Sequence, residues 1–378
     1  MGFSKFNHVK ISAIAGVVPE NYINIDDEIE YYNNDPKKLE RNKKILGLGT
    51  RHVVEEGITA LDLCEDAAKK LIEQLNVDKT EIDTLIFVSI CHDYHSPASS
   101  CIVHGRLGLE ESCKCFDIGG LSCSAYVYGL WLAHSLISSG ASKKLLLLVG
   151  DTNSKHADIK NRISKMLYGD AGTATLLEYT DKDNTAYFDL GTKGEGWDKI
   201  IAPASGHRFP VRKDIANLEI TDDDGNVWHL WEDILQGMDV FNFSMNYAPA
   251  SVKRLLENSN KTLDDVDFVA MHQANGQIVR MIANHSGIQK NKYSSQTFTK
   301  YANCGAGSIA TNVCDVLCDK NISSLMLVSF GVGLSWASAI VDFSNTKNLG
   351  ISLFKNPEHI PTREEMTQYW INKFKGNM

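Results

Sequence analysis

The sequence predicts an α/β fold in which one layered unit occurs twice, and two observations support this prediction. Apolar runs of strand length alternate with segments of helical spacing, which is typical of parallel sheets covered by helices. A spacing is also repeated, because Cys123 lies 22 residues before Leu145 and Asn303 lies 22 residues before Leu325. In both places a predicted helix start precedes a predicted apolar strand, so we expect an internal duplication.

The elements can be placed in order along the chain. For the first half we predict an edge-like strand at 8–17, helical turns and loop at 20–45, a helix at 59–75, a buried strand at 82–90, a helix at 96–107, a short strand that ends at 116–118, a tight bend at Gly119 and Gly120, a helix that begins at Cys123, and a strand at 143–151. For the second half we predict a loop-rich connection at 179–235, an amphipathic helix or lid around 228–243, a strand at 267–271, a small-residue helix opened by 302–308, a strand that contains Leu325, and a surface helix from Thr362.

The composition limits the classes of function. The net charge of −9 argues against general binding to nucleic acids or to anionic membranes. The chain has no apolar run long enough to span a bilayer and no export signal pattern at its N-terminus, so we expect neither. The nine cysteines lie mostly in apolar segments, which favours a reducing cytoplasm over a disulfide scaffold. Cys113 and Cys115 lack a zinc spacing, and His92, His95 and His104 lack companion carboxylates, so we expect no metal.

Cys123 is the candidate nucleophile. It is predicted to lie where a strand, a tight turn and a helix meet, so that the positive end of the helix dipole favours its thiolate. The alternative interpretation is a small buried side chain that packs as an apolar group. His272 follows a strand and Asn303 opens a helix in the second half. Taken alone, His272 is explained equally well as a structural histidine, and Asn303 is explained better as a helix cap with no further role. Because ligands collect at the carboxyl ends of strands in such sheets, we expect the three side chains to converge.

These residue types fit one chemistry well. A neutral histidine and an amide both donate hydrogen bonds, and such a pair can hold an enolate oxygen, the charge that develops in a decarboxylative Claisen condensation. The glycines of 330–333 follow a strand and can bring a backbone N–H close to an acyl oxygen on Cys123. A cysteine nucleophile beside this pair therefore predicts acyl transfer followed by condensation.

Five segments carry a family resemblance. GLSCSAYVYGL around Cys123, HQAN at His272, YANCGAGS around Asn303, YGDAGTATLLE at 168–178 and FGVGLSWASAIVDF at 330–343 resemble the β-ketoacyl-acyl-carrier-protein synthase III family of thiolase-fold condensing enzymes. The match covers nearly the whole chain in the correct order.

The resemblance implies a fold, a reaction and partners. The fold would be thiolase-like, with internally duplicated α-β-α-β-α layers: residues 1–180 would form the half with the nucleophilic Cys123, and residues 181–378 the half with His272 and Asn303. Cys123 would accept an acyl group from a coenzyme A or phosphopantetheine thioester, and His272 with Asn303 would hold a malonyl thioester while it loses CO₂. The enzyme would be a cytoplasmic homodimer of fatty acid biosynthesis that uses acyl carrier protein or acyl-CoA, with no cofactor beyond these thioesters and no metal.

The resemblance also implies how the acyl group is held. The backbone of Cys123, Gly331, Val332 and Gly333 would surround the acyl oxygen. The pocket or its gate would be formed by Ser96, Pro97 and Phe330. Ser96 lies where housekeeping members commonly carry a phenylalanine that limits the acyl pocket from across the dimer. We therefore expect an acyl group larger than acetyl and a specialised pathway.

Other departures concern the carrier. Gln277 and Asn242 are neutral where the family often has basic residues that help dock acidic carrier protein, and Ile45 lies near the place of an arginine that helps hold coenzyme A. The candidates to replace the missing docking charges are Lys253, Arg254 and Arg280.

Three other functions are weighed against this one. An acyltransferase of the same fold would use His272 as a general base and pass the acyl group to an amine or alcohol. A non-catalytic subunit of a heterodimeric synthase would have no need of Cys123, His272 and Asn303 together. A thiolase would need a second catalytic cysteine near the C-terminal glycines, and residues 331–336 contain none. Release of CO₂ from a malonyl thioester distinguishes the condensing enzyme from the acyltransferase.

Overall fold

A computed structural model describes residues 2–223 and 225–376 of the chain. Its strands are β1 (Phe3–Asn7), β2 (Val9–Pro19), β3 (Tyr22–Asn24), β4 (Thr50–His52), β5 (Thr84–Val88), β6 (Lys114–Ile118), β7 (Lys144–Asp151), β8 (Ala171–Tyr179), β9 (Thr185–Thr192), β10 (Ile200–Ile201), β11 (Ile220–Thr221), β12 (Val227–Trp228), β13 (Ile234–Leu235), β14 (Phe268–Met271), β15 (Ser324–Gly331), β16 (Ser335–Asp342) and β17 (Lys347–Phe354). Its α-helices are α1 (Pro36–Leu46), α2 (Ala60–Gln74), α3 (Ser99–Leu107), α4 (Ala125–Ser138), α5 (Arg162–Lys165), α6 (Lys213–Ala216), α7 (Gly237–Ser259), α8 (Gly276–His285), α9 (Gln296–Tyr301), α10 (Ser308–Leu317) and α11 (Arg363–Phe374).

Two sheets repeat one strand pattern. Within the described residues, a six-stranded sheet has the order β17-β2-β8-β7-β5-β6, and a five-stranded sheet has the order β1-β9-β16-β15-β14. The runs β2-β8-β7-β5 and β9-β16-β15-β14 both consist of two antiparallel pairs followed by a parallel pair. Leu145 pairs with Thr84 and Leu325 pairs with Phe268, in each case with the first residue of the partner strand. The predicted internal duplication is confirmed.

The helices form three layers around the two sheets. Helices α4 and α10 lie between the sheets, where their apolar side chains share one buried core with residues of both. Helices α2 and α3 cover the outer face of the first sheet, and α7 and α8 cover the outer face of the second. Strand β5 shows why its sequence is continuously apolar: Ile86 faces the central core, whereas Leu85 and Phe87 face the outer one. The predicted α-β-α-β-α layering is therefore confirmed.

Capping side chains decide where two helices begin. Helix α3 begins at Ser99, later than the predicted residue 96, because the carboxylate of Asp117 accepts hydrogen bonds from the backbone N–H groups of Ser99 (2.7 Å) and Ser100 (2.9 Å). The predicted capping box at the start of α11 is present, with the Glu365 carboxylate accepting a hydrogen bond from the backbone N–H of Thr362 at 2.7 Å. Both caps satisfy donors that the first helical turn would otherwise leave unpaired.

The structure differs from the sequence expectations at three places. Strand β2 is not an edge strand, because β17 returns from the C-terminal end of the chain and pairs alongside it. The helix predicted around 228–243 is instead α7, which begins at Gly237, and Trp228 lies in the short strand β12. Strand β1 pairs with β9 in the second sheet, while β17 lies in the first, so each sheet takes a strand from the far end of the chain. The division of the chain at residue 180 stays a prediction.

None of the helices within residues 2–223 and 225–376 combines the length and the apolar character that crossing a membrane requires.

Candidate active site

Cys123 lies in a single 3₁₀ turn, Ser122–Ser124, that joins the end of β6 to α4. The preceding residue, Ser122, has a φ of 35°, a left-handed value that side chains other than glycine rarely adopt. Gly331 at the end of β15 lies directly against the cysteine, since a Cβ atom added there would be 2.6 Å from Cys123 Cβ. The side chain of Cys123 is closely surrounded yet keeps a partly exposed surface.

The resting form of Cys123 differs from the sequence expectation. Burial raises the pKa of its thiol to about 12, and the negative charge of Asp151 acts in the same direction. The hydroxyl of Ser122, 3.8 Å from the sulfur, lowers this pKa by less. At neutral pH Cys123 is therefore a thiol, and the expectation of a favoured thiolate at the helix start was wrong because desolvation outweighs the local donors.

Asn303 is held by backbone contacts on both sides. Its N–H donates to the carbonyl of Leu167 at 2.9 Å, and its own carbonyl accepts from the N–H of Gly169 at 3.2 Å. Its side-chain Oδ1 accepts a hydrogen bond from the N–H of Gly305 at 3.0 Å. This bond fixes the orientation of the amide, and no acceptor within the described residues binds Nδ2, so its two N–H bonds are available to a ligand. The residue before it, Ala302, has φ 59° and ψ −156°.

His272 follows β14 directly and is buried. Its backbone N–H donates to the carbonyl of Val328 at 2.9 Å, and its ring meets the ring of Phe330 edge to face at 5.4 Å. Burial lowers the pKa of His272 to about 3, so the imidazole is neutral at physiological pH. Within the described part of the chain Nδ1 has no hydrogen-bond partner.

The structure brings the surroundings of all three residues together. The turn that holds Cys123 packs against Gly305–Gly307, the turn that follows Asn303, and against β15. Strand β15 pairs in parallel with β14 and so places His272 beside Val328 and Phe330 on the same strand end as Gly331. These contacts bring together the backbone segments around the three residues, and the convergence of their side chains stays a prediction.

A buried carboxylate that the sequence did not reveal connects the two turns. Oδ2 of Asp151 accepts hydrogen bonds from the N–H of Ala306 at 2.7 Å and from the hydroxyl of Ser122 at 3.3 Å. Its Oδ1 accepts from the hydroxyl of Ser89 and the N–H of Ile90, both at 2.9 Å. Burial raises the pKa of Asp151 above the usual carboxyl range, and these four donors counteract that rise. Asp151 ends the predicted strand at 143–151, but only the tertiary structure shows what it joins.

The other predicted pocket residues have different environments. Phe330 is buried and ends β15 together with Gly331, and the carbonyl of Val332 accepts a hydrogen bond from the hydroxyl of Ser335 at 2.7 Å. Gly333 has a φ of 136°, which only glycine adopts readily. In the single chain, residues 96 and 97 are exposed on the surface and are not buried in a pocket.

The three candidate docking cations are engaged to different degrees. Lys253 is the most available, with 77% of its side chain exposed. Arg254 is bound to the carboxylate of Asp189 at 2.7 Å and lies over the ring of Trp336. Arg280 donates to the carbonyl of Ile45 at 2.9 Å, so part of its bonding capacity is used within the chain.

A cavity of about 490 Å³ has Leu167 in its lining, and the backbone carbonyl of Leu167 accepts a hydrogen bond from the Asn303 N–H. Asn303 is not itself among the described lining residues. The cavity lining also contains two cations and two aromatic rings, Lys38, Arg162, Tyr31 and Tyr32. Sequence reasoning missed these residues, since each lies alone in a polar segment and only the fold places them together. A larger cavity, of about 590 Å³, lies between α2 and the C-terminal segment, and its described lining includes none of the three candidate residues.

Three histidines that are close in sequence take separate partners. His92 lies 3.3 Å from the carboxylate of Asp117, which raises the pKa of His92. His95 meets His207 with 2.6 Å between their Nε2 atoms. His104 donates to a backbone carbonyl instead.

Comparison with known proteins gives a consistent result. Models of the 3-oxoacyl-[acyl-carrier-protein (ACP)] synthase III family match residues 116–194 and, for its C-terminal part, residues 256–343. A Campylobacter jejuni protein provisionally named 3-oxoacyl-[acyl-carrier-protein] synthase 3 is 39% identical over 352 residues, which cover 92% of this chain and 98% of that protein. A β-ketoacyl-[acyl-carrier-protein] synthase III from Campylobacter curvus is 30% identical over 336 residues, or 88% of this chain and 96% of that one.

A solved structure supports the same grouping. The crystal structure of a 3-oxoacyl-(acyl-carrier protein) synthase from Burkholderia xenovorans is similar with a TM-score of 0.85 and 30% sequence identity. The similarity covers 93% of this chain and 99% of that one, so it extends over both sheets.

Proposed function

This chain belongs to the 3-oxoacyl-[acyl-carrier-protein] synthase III family, and we propose that Cys123, His272 and Asn303 perform its chemistry. It is an acyltransferase of the condensing type. The observation that supports the residue assignment is the contact between the Cys123 turn and the turn after Asn303, with the neutral ring of His272 on the adjacent strand end.

The first step loads the enzyme. The sulfur of Cys123 attacks the carbonyl carbon of an acyl thioester, the carbon–sulfur bond to the carrier breaks, and the carrier leaves as a thiol with the proton that Cys123 gives up. Because burial holds the pKa of this thiol at about 12, the proton must be removed as the sulfur attacks. Backbone N–H groups near Cys123 and Gly331 would bind the oxygen of the tetrahedral intermediate.

The second step forms the carbon–carbon bond. A malonyl thioester loses CO₂ and the electron pair of the broken bond moves into an enolate, whose oxygen takes hydrogen bonds from His272 and from Nδ2 of Asn303. The enolate carbon then attacks the acyl carbonyl on Cys123, the carbon–sulfur bond breaks, and the sulfur takes up a proton. A neutral imidazole and an amide suit this step, because a carboxylate would repel the developing negative charge.

The cavity lined in part by Leu167 would hold the carrier end of the substrate. Lys38 and Arg162 supply positive charge for phosphate groups, and Tyr31 offers a ring on which a base can stack. A pantetheine arm that leaves this cavity past Leu167 would reach Asn303. We propose that coenzyme A thioesters bind here and that acyl carrier protein docks at the same mouth, with Lys253 as the most exposed of the predicted docking cations.

We keep the larger acyl group as a proposal. Ser96 is small where a phenylalanine is expected, and it is exposed in the single chain. In a homodimer the segment around Ser96 and Pro97 would reach the partner's pocket and leave room there. Ser96→Phe should then shift turnover toward acetyl thioesters, while Ser96→Ala should leave the preference unchanged. Good turnover of acetyl-CoA by the unmodified protein, with none of medium or long acyl thioesters, would refute this proposal.

The setting of the enzyme is also proposed. All nine cysteines are free thiols, which supports work in a reducing cytoplasm. Strand β6 ends the six-stranded sheet in the described residues, so a second copy can pair there. Sedimentation of the purified protein would test the homodimer.

Intact-protein mass spectrometry tests the loading step. The protein is incubated with a panel of acyl thioesters and compared with Cys123→Ala and with a matched control, Cys304→Ala, which removes a buried thiol next to Asn303. We expect an acyl adduct on the unmodified protein and the control, absent from Cys123→Ala and discharged by malonyl thioester with loss of CO₂. An adduct that malonyl thioester leaves in place would support transfer to an amine or alcohol, and no adduct would contradict the nucleophile assignment.

A further inference from the structure

Three side chains with metal-binding atoms meet where α3 ends and β6 begins. His104 lies on α3, Cys113 precedes β6, and Cys115 is the second residue of that strand. One ligand atom from each lies within 4.8 Å of the other two. Because side chains alternate along a strand, Cys113 and Cys115 point to the same side, and the exposed Lys114 points to the other.

One backbone carbonyl orients this group. The carbonyl of Glu110 accepts a hydrogen bond from His104 Nε2 at 3.0 Å and another from the backbone N–H of Cys113 at 2.9 Å. An imidazole that donates from Nε2 carries its lone pair on Nδ1, and metal-binding histidines typically use their second nitrogen in this way. The thiol of Cys115 donates a hydrogen bond to the backbone carbonyl of Cys113 at 3.5 Å. The cluster therefore has a fixed tautomer and two adjacent sulfur atoms.

We propose that His104, Cys113 and Cys115 form a zinc site that is separate from the catalytic centre. Two sulfurs and one imidazole nitrogen are the ligand types that Zn²⁺ prefers, and in a tetrahedral site such atoms lie about 3.6–3.8 Å apart. Side-chain movements of about 1 Å would close the observed cluster to that geometry. Binding replaces the two S–H bonds by two Zn–S bonds and releases two protons to solvent. Water or another ligand would take the fourth position.

The position of the cluster indicates a structural role. Asp117 of β6 caps the first turn of α3, and the proposed site would fasten the last turn of α3 to the start of the same strand. Helix α3 would then be held to β6 at both ends. Strand β6 leads to the turn that holds Cys123, but the cluster lies at its opposite end. Zinc should therefore raise the melting temperature and leave acyl transfer per folded molecule unchanged.

The sequence alone gave no sign of this site. The one-residue separation of Cys113 and Cys115 is not a zinc spacing, and His104 lies on the preceding helix, so only the turn between α3 and β6 brings it near. The competing interpretations are two thiols that pack as apolar side chains and a thiol pair that oxidises to a disulfide.

Metal titration of the full chain tests the proposal. The protein is purified under reducing conditions, freed of metal with a chelator, and titrated with Co²⁺ and then Zn²⁺. We expect one Co²⁺ per chain with thiolate-to-cobalt charge-transfer absorption, lost when one equivalent of Zn²⁺ displaces it. We expect the absorption to disappear, or the affinity for Co²⁺ to fall at least tenfold, in His104→Gln, Cys113→Ser and Cys115→Ser. The absorption should remain in the control variants Cys101→Ser, Cys318→Ser and Cys123→Ala.

Several results would overturn the proposal. They are the absence of the charge-transfer band in reduced protein, a band that survives in both His104→Gln and Cys115→Ser, or a band that requires Cys318. Circular dichroism checks that each variant is folded. If Cys113→Ser, at the most buried position, does not fold, the two variants at partly exposed positions decide the outcome. A Cys113–Cys115 disulfide whose reduction restores no cobalt binding also counts against the site.

Discussion

Ser122 and Ala302, the residues directly before Cys123 and Asn303, both hold positive φ values, 35° and 59°. Ser122 is the first residue of the 3₁₀ turn before α4, whereas Ala302 lies three residues before the 3₁₀ turn Gly305–Gly307 that precedes α10. Positive φ at a residue other than glycine costs about 1–3 kcal/mol and persists only where the surrounding structure imposes it. A constrained residue therefore directly precedes each of the two polar side chains.

Substitutions at Ala302 test this constraint on stability. Ala302→Gly removes the steric strain that Cβ causes at this positive φ, but it also raises the conformational entropy of the unfolded chain. Because these effects oppose each other, the free energy of unfolding should change by less than about 1 kcal/mol. Ala302→Val should destabilise by more than about 2 kcal/mol, because a β-branched side chain fits this conformation poorly. Urea unfolding measures both. Equal stability of the valine and glycine variants would contradict the observed backbone.

Asp151 should act as a positioning residue for both turns. Asp151→Asn puts an N–H₂ group where at least one donor now points, so the free energy of unfolding should fall by about 1–3 kcal/mol. The variant should also have a kcat at least tenfold lower, with little change in KM. Both loading of Cys123 and decarboxylation should slow, since Asp151 contacts both turns. Asp189→Asn is the matched control, because Asp189 is a buried carboxylate bound to Ser251 and Arg254.

The control separates positioning from stability. It should lose similar stability while its kcat per folded molecule stays close to that of the unmodified protein. If both variants lose kcat in proportion to stability, Asp151 has only a structural role.

The two perturbed pKa values predict an unusual pH dependence. Because the pKa of Cys123 is raised to about 12, its thiolate fraction grows with pH throughout the accessible range, and alkylation by iodoacetamide should still be increasing above pH 9. Because the pKa of His272 is lowered to about 3, the ring stays neutral from pH 5 to 8 and decarboxylation should be flat there. A decarboxylation profile with a midpoint near 6.5, the ordinary pKa of histidine, would show that His272 is not buried as described.

Much of the fold could be predicted from sequence because its signals are local. The apolar run of β5, the equal spacings that end at Leu145 and Leu325, and the capping box at Thr362 all depend on neighbouring residues. The pairing of β17 with β2 could not be predicted, since these strands lie at opposite ends of the chain. The raised pKa of Cys123 was also missed, because the helix start is visible in sequence but the desolvation of the sulfur is a property of the packed fold.

The same distinction holds for the candidate site. Cys123, His272 and Asn303 each follow or open an element that sequence can place. The role of Asp151 and the cavity lined by Lys38 and Arg162 could not be predicted, because both depend on contacts between segments that are distant in the sequence.

Release of CO₂ by the acylated protein tests the central proposal most directly. Protein loaded on Cys123 is mixed with malonyl thioester, and CO₂ and 3-oxoacyl product are quantified for the unmodified chain, His272→Ala, Asn303→Ala and the control Asn275→Ala, which removes only the cap of α8. We predict one CO₂ per product, a loss of at least about 100-fold in rate in the first two variants, and a near-normal rate in the control. Unchanged CO₂ release in both His272→Ala and Asn303→Ala would contradict their assignment as the groups that hold the enolate.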